Sequence, residues 1–172
     1  IDLSSIVHQQ FHLSGSEPDP NWTSTKSVER VRALINGQPH VAICCDAGRS
    51  FRKDIDPTYK AQRKPYDAPL SHQMQLTIDI LKGDGLPVWM VPGLEGDDIC
   101  ATATAKALQQ PDITVAIASL DKDILQLVGP RVVAKSLKDG RTVDETAVIE
   151  KFGVKPSQIR DYLALVGDTS DN

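Results

Sequence analysis

ITVAIASLDKDI, residues 113–124, is a run of β-branched and small apolar side chains that ends just before Asp121 and Asp123. An apolar run of this length without polar alternation suits a strand buried on both faces, as in a sheet covered by helices on either side. The pattern recurs twice upstream. HVAICC, residues 40–45, ends at Asp46, and LPVWMV, residues 86–91, runs into a Pro-Gly turn ahead of LEGDDI. Helical patterns lie between these runs: residues 26–35 close at Asn36-Gly37, residues 71–81 close before Gly83, and the alanine-rich residues 97–108 close before Pro111. Strands alternating with helices build βαβ units, so the spacing predicts an α/β fold with a mainly parallel central sheet and helices on both faces. Residues 131–136, a turn at Asp139-Gly140, and residues 144–152 and 156–166 read as a short hairpin followed by two helices.

In such sheets ligands bind beyond the carboxyl ends of the strands. Asp46 and Asp121 fall at those ends, and Asp2 joins them after Ile1. Glu95, Asp97 and Asp98 sit in a loop and first helical turn, where a helix N-terminus favours negative charge. With Asp123, and with Asp168 and Asp171 of GDTSDN, these make nine carboxylates. Nine like charges brought together repel strongly, and a fold holds them only by protonating some or by binding cations. Mg²⁺ and Mn²⁺ prefer oxygen ligands and are usually held by a few carboxylates beside a substrate phosphate. The chain therefore reads as a metal-dependent enzyme acting on phosphodiesters. His12, His40 and His72 read as surface or core residues, since a hard metal is already satisfied by oxygen.

At 172 residues the chain is long enough for one domain with a full core. Its apolar runs all fall short of the roughly 18–20 residues that span a bilayer, and its start lacks the basic-then-apolar pattern of a signal peptide, so no membrane association and an intracellular location are expected. Cys44, Cys45 and Cys100 lie inside apolar segments and read as small buried hydrophobes. Trp22 and Trp89 read as packing residues. The total charge of −4 hides a division: the segment from Arg49 to Lys64 has six basic residues and two acids, a net of +4, so the remainder carries −8. This basic segment lies in a proline-containing stretch of about twenty residues, 47–69, with no sustained period; connections of that length are usually functional or disordered, and the basic cluster favours function.

FRKDIDPTYKAQRKPYDAP, GLEGDDI, SLDKDILQLV and YLALVGDTSDN resemble, in order and at family spacing, the signature stretches of the 5′ nuclease family. That family comprises the 5′→3′ exonuclease domain of bacterial DNA polymerase I, phage 5′ exonucleases and flap endonucleases. The resemblance implies one PIN-like three-layer catalytic domain over residues 1–172, with a basic arch-like segment at about 47–69. It also implies two divalent ions, Mg²⁺ or Mn²⁺, and hydrolysis of DNA near 5′ ends, flaps or nicks to leave 5′-phosphate and 3′-hydroxyl. RNA-DNA primers are a further substrate of this kind. Asp2, Asp46, Glu95, Asp97, Asp98, Asp121, Asp123, Asp168 and Asp171 all match acidic positions of the family. Members place one ion among the equivalents of Asp2, Asp46 and the Glu95/Asp97 pair, and the second near those of Asp121, Asp123 and Asp171; Asp98 and Asp168 match positions that more often act through water. Lys60 and Arg63 of YKAQR match the catalytic basic pair of the arch.

Arg49, Arg52, Lys53, Tyr59 and Lys64 are expected to meet DNA, the cations through phosphates and Tyr59 by stacking or by anchoring the loop. The sequence departs from the family in four places. Leu3 stands after the first Asp where Gly is common, and His8-Gln9 replace a Tyr-Arg pair, with His8 expected to stack on a terminal base. Gly96 stands where Ala is usual, and Leu120 replaces a small residue. Relatives continue past the equivalent of Asn172 into a helix-hairpin element that grips duplex DNA, so this chain is expected to lack it. The family default is a monomer in the bacterial or phage-infected cytoplasm, at the nucleoid, either free-standing or joined to a polymerase domain. Two other functions fit an acidic α/β domain, a PIN-type ribonuclease and a binding module that has lost catalysis. The basic arch and GDTSDN speak for the DNA enzyme over the ribonuclease, and the full set of costly acids speaks against the module.

Overall fold

Each of the three apolar runs yields a strand, but a shorter one than the run. In the computed structural model, which describes residues 1–15, 19–62 and 68–167, β1 (Ile43–Cys44) lies parallel to β2 (Val88–Trp89). β3 (Val115–Ala118) lies parallel to β4 (Val132–Lys135), which pairs antiparallel with β5 (Thr142–Val143). Ile1 and Asp2 join the two ladders. The Cys44 N–H donates to the Ile1 carbonyl at 2.7 Å, and the Asp2 N–H donates to the Ala118 carbonyl at 3.3 Å. Across the molecule the order is therefore β2, β1, residues 1–2, β3, β4, β5, with β5 alone antiparallel among the described strands. The expected hairpin is present as β4 and β5 around Gly140, whose φ of 73° suits a tight turn.

Side chains alternate across β1, and this separates two cores. Ile43 and Cys45 pack with Leu3, Ile6 and Val7 of α1 (Leu3–Ser14), Val28 and Val31 of α2 (Trp22–Ile35), and Met74, Ile78 and Leu81 of α4 (Ala68–Gly83). Cys44 packs on the opposite face with Ile99 and Cys100 of α5 (Gly96–Ala107), Ile117 and Val132. The three-layer arrangement follows from that alternation. A third cluster gathers Leu125 and Val128 with Ala134, Val143, Val148 of α7 (Glu145–Phe152) and Ile159 of α8 (Ile159–Val166). Leu120, where the family resemblance leads to a small residue, packs against this cluster.

Helix α1 is the longest of three helices that the sequence reading did not assign, with α3 (Arg52–Ile55) and α6 (Lys122–Leu125). LSSIVHQQFHLS has few strong helix formers, yet its buried residues Leu3, Ile6 and Val7 follow the i, i+3, i+4 spacing of one face. Asp2 starts it as N-cap, its carboxylate accepting from the Ser5 N–H at 3.1 Å. Helix α4 begins at Ala68, earlier than expected, because Pro69 is tolerated in a first turn. The two short helices, α3 and α6, follow the carboxyl ends of β1 and β3. Trp89, read as a packing residue, is 45% exposed because β2 is an edge strand. No helix among the described residues is long and apolar enough to cross a membrane.

Candidate active site

The carboxyl edge of the sheet collects acids from four separate segments, and hydroxyl and backbone donors hold them there. Asp2, buried at 7% exposure, accepts from the Ser5 hydroxyl and from the Ser119 hydroxyl at 3.0 Å. Ser119 in turn accepts from the Asp121 N–H at 3.2 Å, so one hydroxyl links Asp2 to the segment of Asp121 and Asp123. Asp121 caps α6 and accepts from the Asp123 N–H at 3.0 Å. Asp46, two residues beyond β1, accepts from the Ser4 hydroxyl at 3.0 Å and the Gly96 N–H at 2.7 Å. Glu95 is the N-cap of α5, and its N–H donates to Asp98 Oδ2 at 3.1 Å. Burial, reinforced by the charges of Asp98 and Glu95, pushes the Asp97 carboxyl up to about 6, although the Asp98 N–H donates to it at 2.7 Å.

The basic segment folds down onto the same turn. Arg52 donates through two guanidinium nitrogens to the two oxygens of Asp98, each at 2.7 Å, and lies 5.0 Å from the Phe51 ring centroid. The Arg52 hydrogen bonds hold Asp98 below the usual carboxylate range. Lys60 Nζ stands 2.8 Å from Glu95 Oε2 and 4.9 Å from the Tyr59 ring centroid, while the Tyr59 hydroxyl donates to the same glutamate oxygen at 3.1 Å. Burial raises Glu95, but hydrogen bonds from Lys60, Ser50 and Tyr59 leave it lowered on balance.

Asp2, Asp46, Glu95, Asp97, Asp98, Asp121 and Asp123 thus share one edge, with Arg52, Tyr59 and Lys60 over it. Among the described residues, no three His, Cys, Asp or Glu side chains converge on a single ion position. Two of the acids, Glu95 and Asp98, have oxygens that hold the cations of Lys60 and Arg52. Arg49 pairs with Asp54, both exposed, and Lys53 is half-buried on α3. His8 lies one helical turn beyond Ser4 on α1, with its ring centroid 6.4 Å from that of His12. His12, His40 and His72 are exposed. Arg63, Lys64, Asp168 and Asp171 fall outside the described residues.

The sequence reading missed the residues that orient the acids: Ser4, Ser5, Ser50, Ser119 and the Gly96 N–H. The adjacent Ser4-Ser5 after Asp2 and the serine closing β3 were the available signals. At Gly96 a Cβ would stand 3.4 Å from Asp46 Oδ1, ordinary contact, so an alanine fits there. Gly96→Ala is expected to change unfolding free energy by less than about 0.5 kcal/mol, whereas Gly96→Pro removes the donor to Asp46 and is expected to cost about 1–3 kcal/mol, both read by urea denaturation.

Comparison with known proteins decides the family. The model of the 5'-3' exonuclease N-terminal resolvase-like domain matches residues 1–153. The chain belongs to the 5'-3' exonuclease family. Over 179 residues it is 36% identical to a 5'-3' exonuclease of Aquifex aeolicus, covering 100% of this chain and 62% of that protein. It is also 36% identical to DNA polymerase I of Bacillus caldotenax over 183 residues, 100% of this chain but 21% of the polymerase. The flap endonuclease Xni of Vibrio cholerae is 32% identical over 180 residues, 99% of this chain and 67% of the relative. The fold is that of a bacteriophage T5 protein crystallised with metal ions, with TM-score 0.78 and 21% identity over 99% of this chain and 66% of that one. The T5 flap endonuclease in a pseudo-enzyme-product complex with DNA and metal ions gives 0.76, at 21% identity over 97% of this chain and 66% of that one. The chain accordingly has an α/β, PIN-like fold.

Proposed function

We propose that this chain is the catalytic domain of a divalent-metal-dependent 5′→3′ exonuclease and structure-specific flap endonuclease. The observation that carries the reading is the charge arrangement: acids from four segments meet at one sheet edge, and two of them hold protein cations from a basic segment. The donors are hard oxygens, and half-buried Asp97 lies beside the charges of Asp98 and Glu95, which is the environment a hard divalent ion neutralises. The residues therefore fit Mg²⁺ or Mn²⁺. Asp2, Asp46, Glu95 and Asp97 would hold one ion, and Asp121, Asp123 and Asp171 a second, with Asp98 and Asp168 acting through water. Ions bound there supply activation of water and neutralisation of the charge that grows on the scissile phosphate.

The chain's own groups do the remainder. Ser119 and Ser4 fix the rotamers of Asp2 and Asp46, so those oxygens need not reorganise during reaction. Lys60 and Arg63 stabilise the extra negative charge of the transition state, and Arg49, Arg52, Lys53 and Lys64 meet flanking phosphates without reading sequence. Tyr59 and His8 offer faces for bases near the 5′ end. The substrate is DNA with a 5′ end, flap or nick, or an RNA-DNA primer, and the domain works as a monomer in the bacterial or phage-infected cytoplasm, at the nucleoid. In the full-length protein it stands alone or precedes a polymerase domain.

Parallel digestions of a 5′-labelled DNA flap and an all-RNA single strand test the substrate class. Faster cutting of the flap, with 5′-phosphate and 3′-hydroxyl ends, is expected. Preference for the RNA strand would point to a PIN-type ribonuclease instead, and binding of the flap without cutting either substrate in any Mg²⁺ or Mn²⁺ concentration would point to a binding module.

A further inference from the structure

Lys60 is the single non-glycine residue in the left-handed backbone region among the described residues, at φ 51°. A lysine gains nothing locally from that conformation, and such outliers persist where surrounding contacts over-determine them. Here the contacts are the Glu95 oxygen at 2.8 Å and the Tyr59 ring, with the Tyr59 hydroxyl closing on the same oxygen at 3.1 Å. The Lys60 and Glu95 side chains are each only 15% exposed, so the pair is largely shielded from water. Arg52 also reaches toward it, 3.9 Å from Glu95 Oε2.

We infer that Lys60 is the resident counter-ion of Glu95 in the cation-free protein and yields that oxygen when a divalent cation binds, freeing its ammonium for the incoming phosphate. The inference rests on the proposed reading of these acids as a divalent-cation site. Glu95 Oε2 already accepts two hydrogen bonds, which occupy the directions an ion would need. A divalent ion held by these carboxylates would bring twice the charge of an ammonium, so Glu95 would exchange its bond to Lys60 for one to the ion. Tyr59 serves as a positioning residue, because it donates to the contested oxygen and lies under the ammonium at once. Linkage makes the coupling reciprocal: a phosphate that draws Lys60 away tightens cation binding by the same factor by which the cation favours the phosphate. Cooperative loading of cation and phosphate follows from one shared side chain.

The test labels lysines in the whole chain with an acetylating ester and reads each site by peptide mass spectrometry, without cation and across a Mn²⁺ titration whose binding is followed separately by electron paramagnetic resonance. Lys60 acetylation is expected to rise about fivefold or more along the binding curve, while exposed Lys82 stays constant. Tyr59→Phe keeps every charge but removes one donor from Glu95, so it is expected to tighten Mn²⁺ binding. Mn²⁺ that binds while Lys60 labelling stays flat or falls, or a Tyr59→Phe affinity equal to wild type, overturns the exchange and leaves the metal reading intact. Absence of any bound Mn²⁺ overturns the metal reading itself, and the exchange with it.

Discussion

Asp121→Asn is expected to slow single-turnover flap cleavage by about 10²- to 10³-fold, while leaving the fold in place. The separation of chemistry from structure comes from the cap. Asp121 accepts from the Asp123 N–H at 3.0 Å, and an asparagine oxygen accepts the same bond with similar capping strength. Its own N–H still reaches Ser119 Oγ at 3.2 Å, so the link to Asp2 survives. What disappears is one negative charge on the edge that would hold the second ion. Stopped-time cleavage with enzyme in excess reads the rate, and circular dichroism melting reads the fold. A variant that melts far lower than the parent would place Asp121 in stability, and one that cuts at the parental rate would remove it from the metal site.

Leu81→Ala is expected to cost about 2–5 kcal/mol in urea-induced unfolding, a large share of the stability of a domain this size. Leu81 is fully buried in the core that joins α1, α2 and α4 to β1. Its loss leaves a cavity in the cluster that also packs Leu3, Ile6 and Val7 of α1, the helix that carries Ser4 and Ser5 and is capped by Asp2. Loosening there is therefore expected to reach the acids as well as the core. Leu165 supplies the contrast: it is 89% exposed, and Leu165→Ala is expected to stay within about 0.5 kcal/mol of wild type.

The sheet was legible because runs such as residues 40–45 and 113–119 are apolar on both faces, a pattern that covering helices alone permit. Their pairing was less so: β1 and β2 keep two residues each, since backbone register depends on neighbours far away in sequence. Helix α1 escaped because its drive is the burial of Leu3, Ile6 and Val7 against partners from three other elements, which no local propensity reports. The acids were readable from their place at strand ends. The bond from Ser119 to Asp2 was not, because it spans 117 positions of chain and only the folded sheet brings the two together. The basic segment announced itself by charge, but the closure of Arg52 onto Asp98 and Lys60 onto Glu95 is a matter of tertiary geometry. A bidentate pair with both distances at 2.7 Å needs a particular loop path as well as opposite signs.

The most direct measurement is cleavage of a 5′-labelled DNA flap with the protein in excess, in Mg²⁺, Mn²⁺ or chelator. Cutting in either metal, abolished by chelator, with 5′-phosphate and 3′-hydroxyl products, is the predicted result. Cutting that persists in chelator, or a flap left whole while Mn²⁺ is bound to the acids, would contradict it.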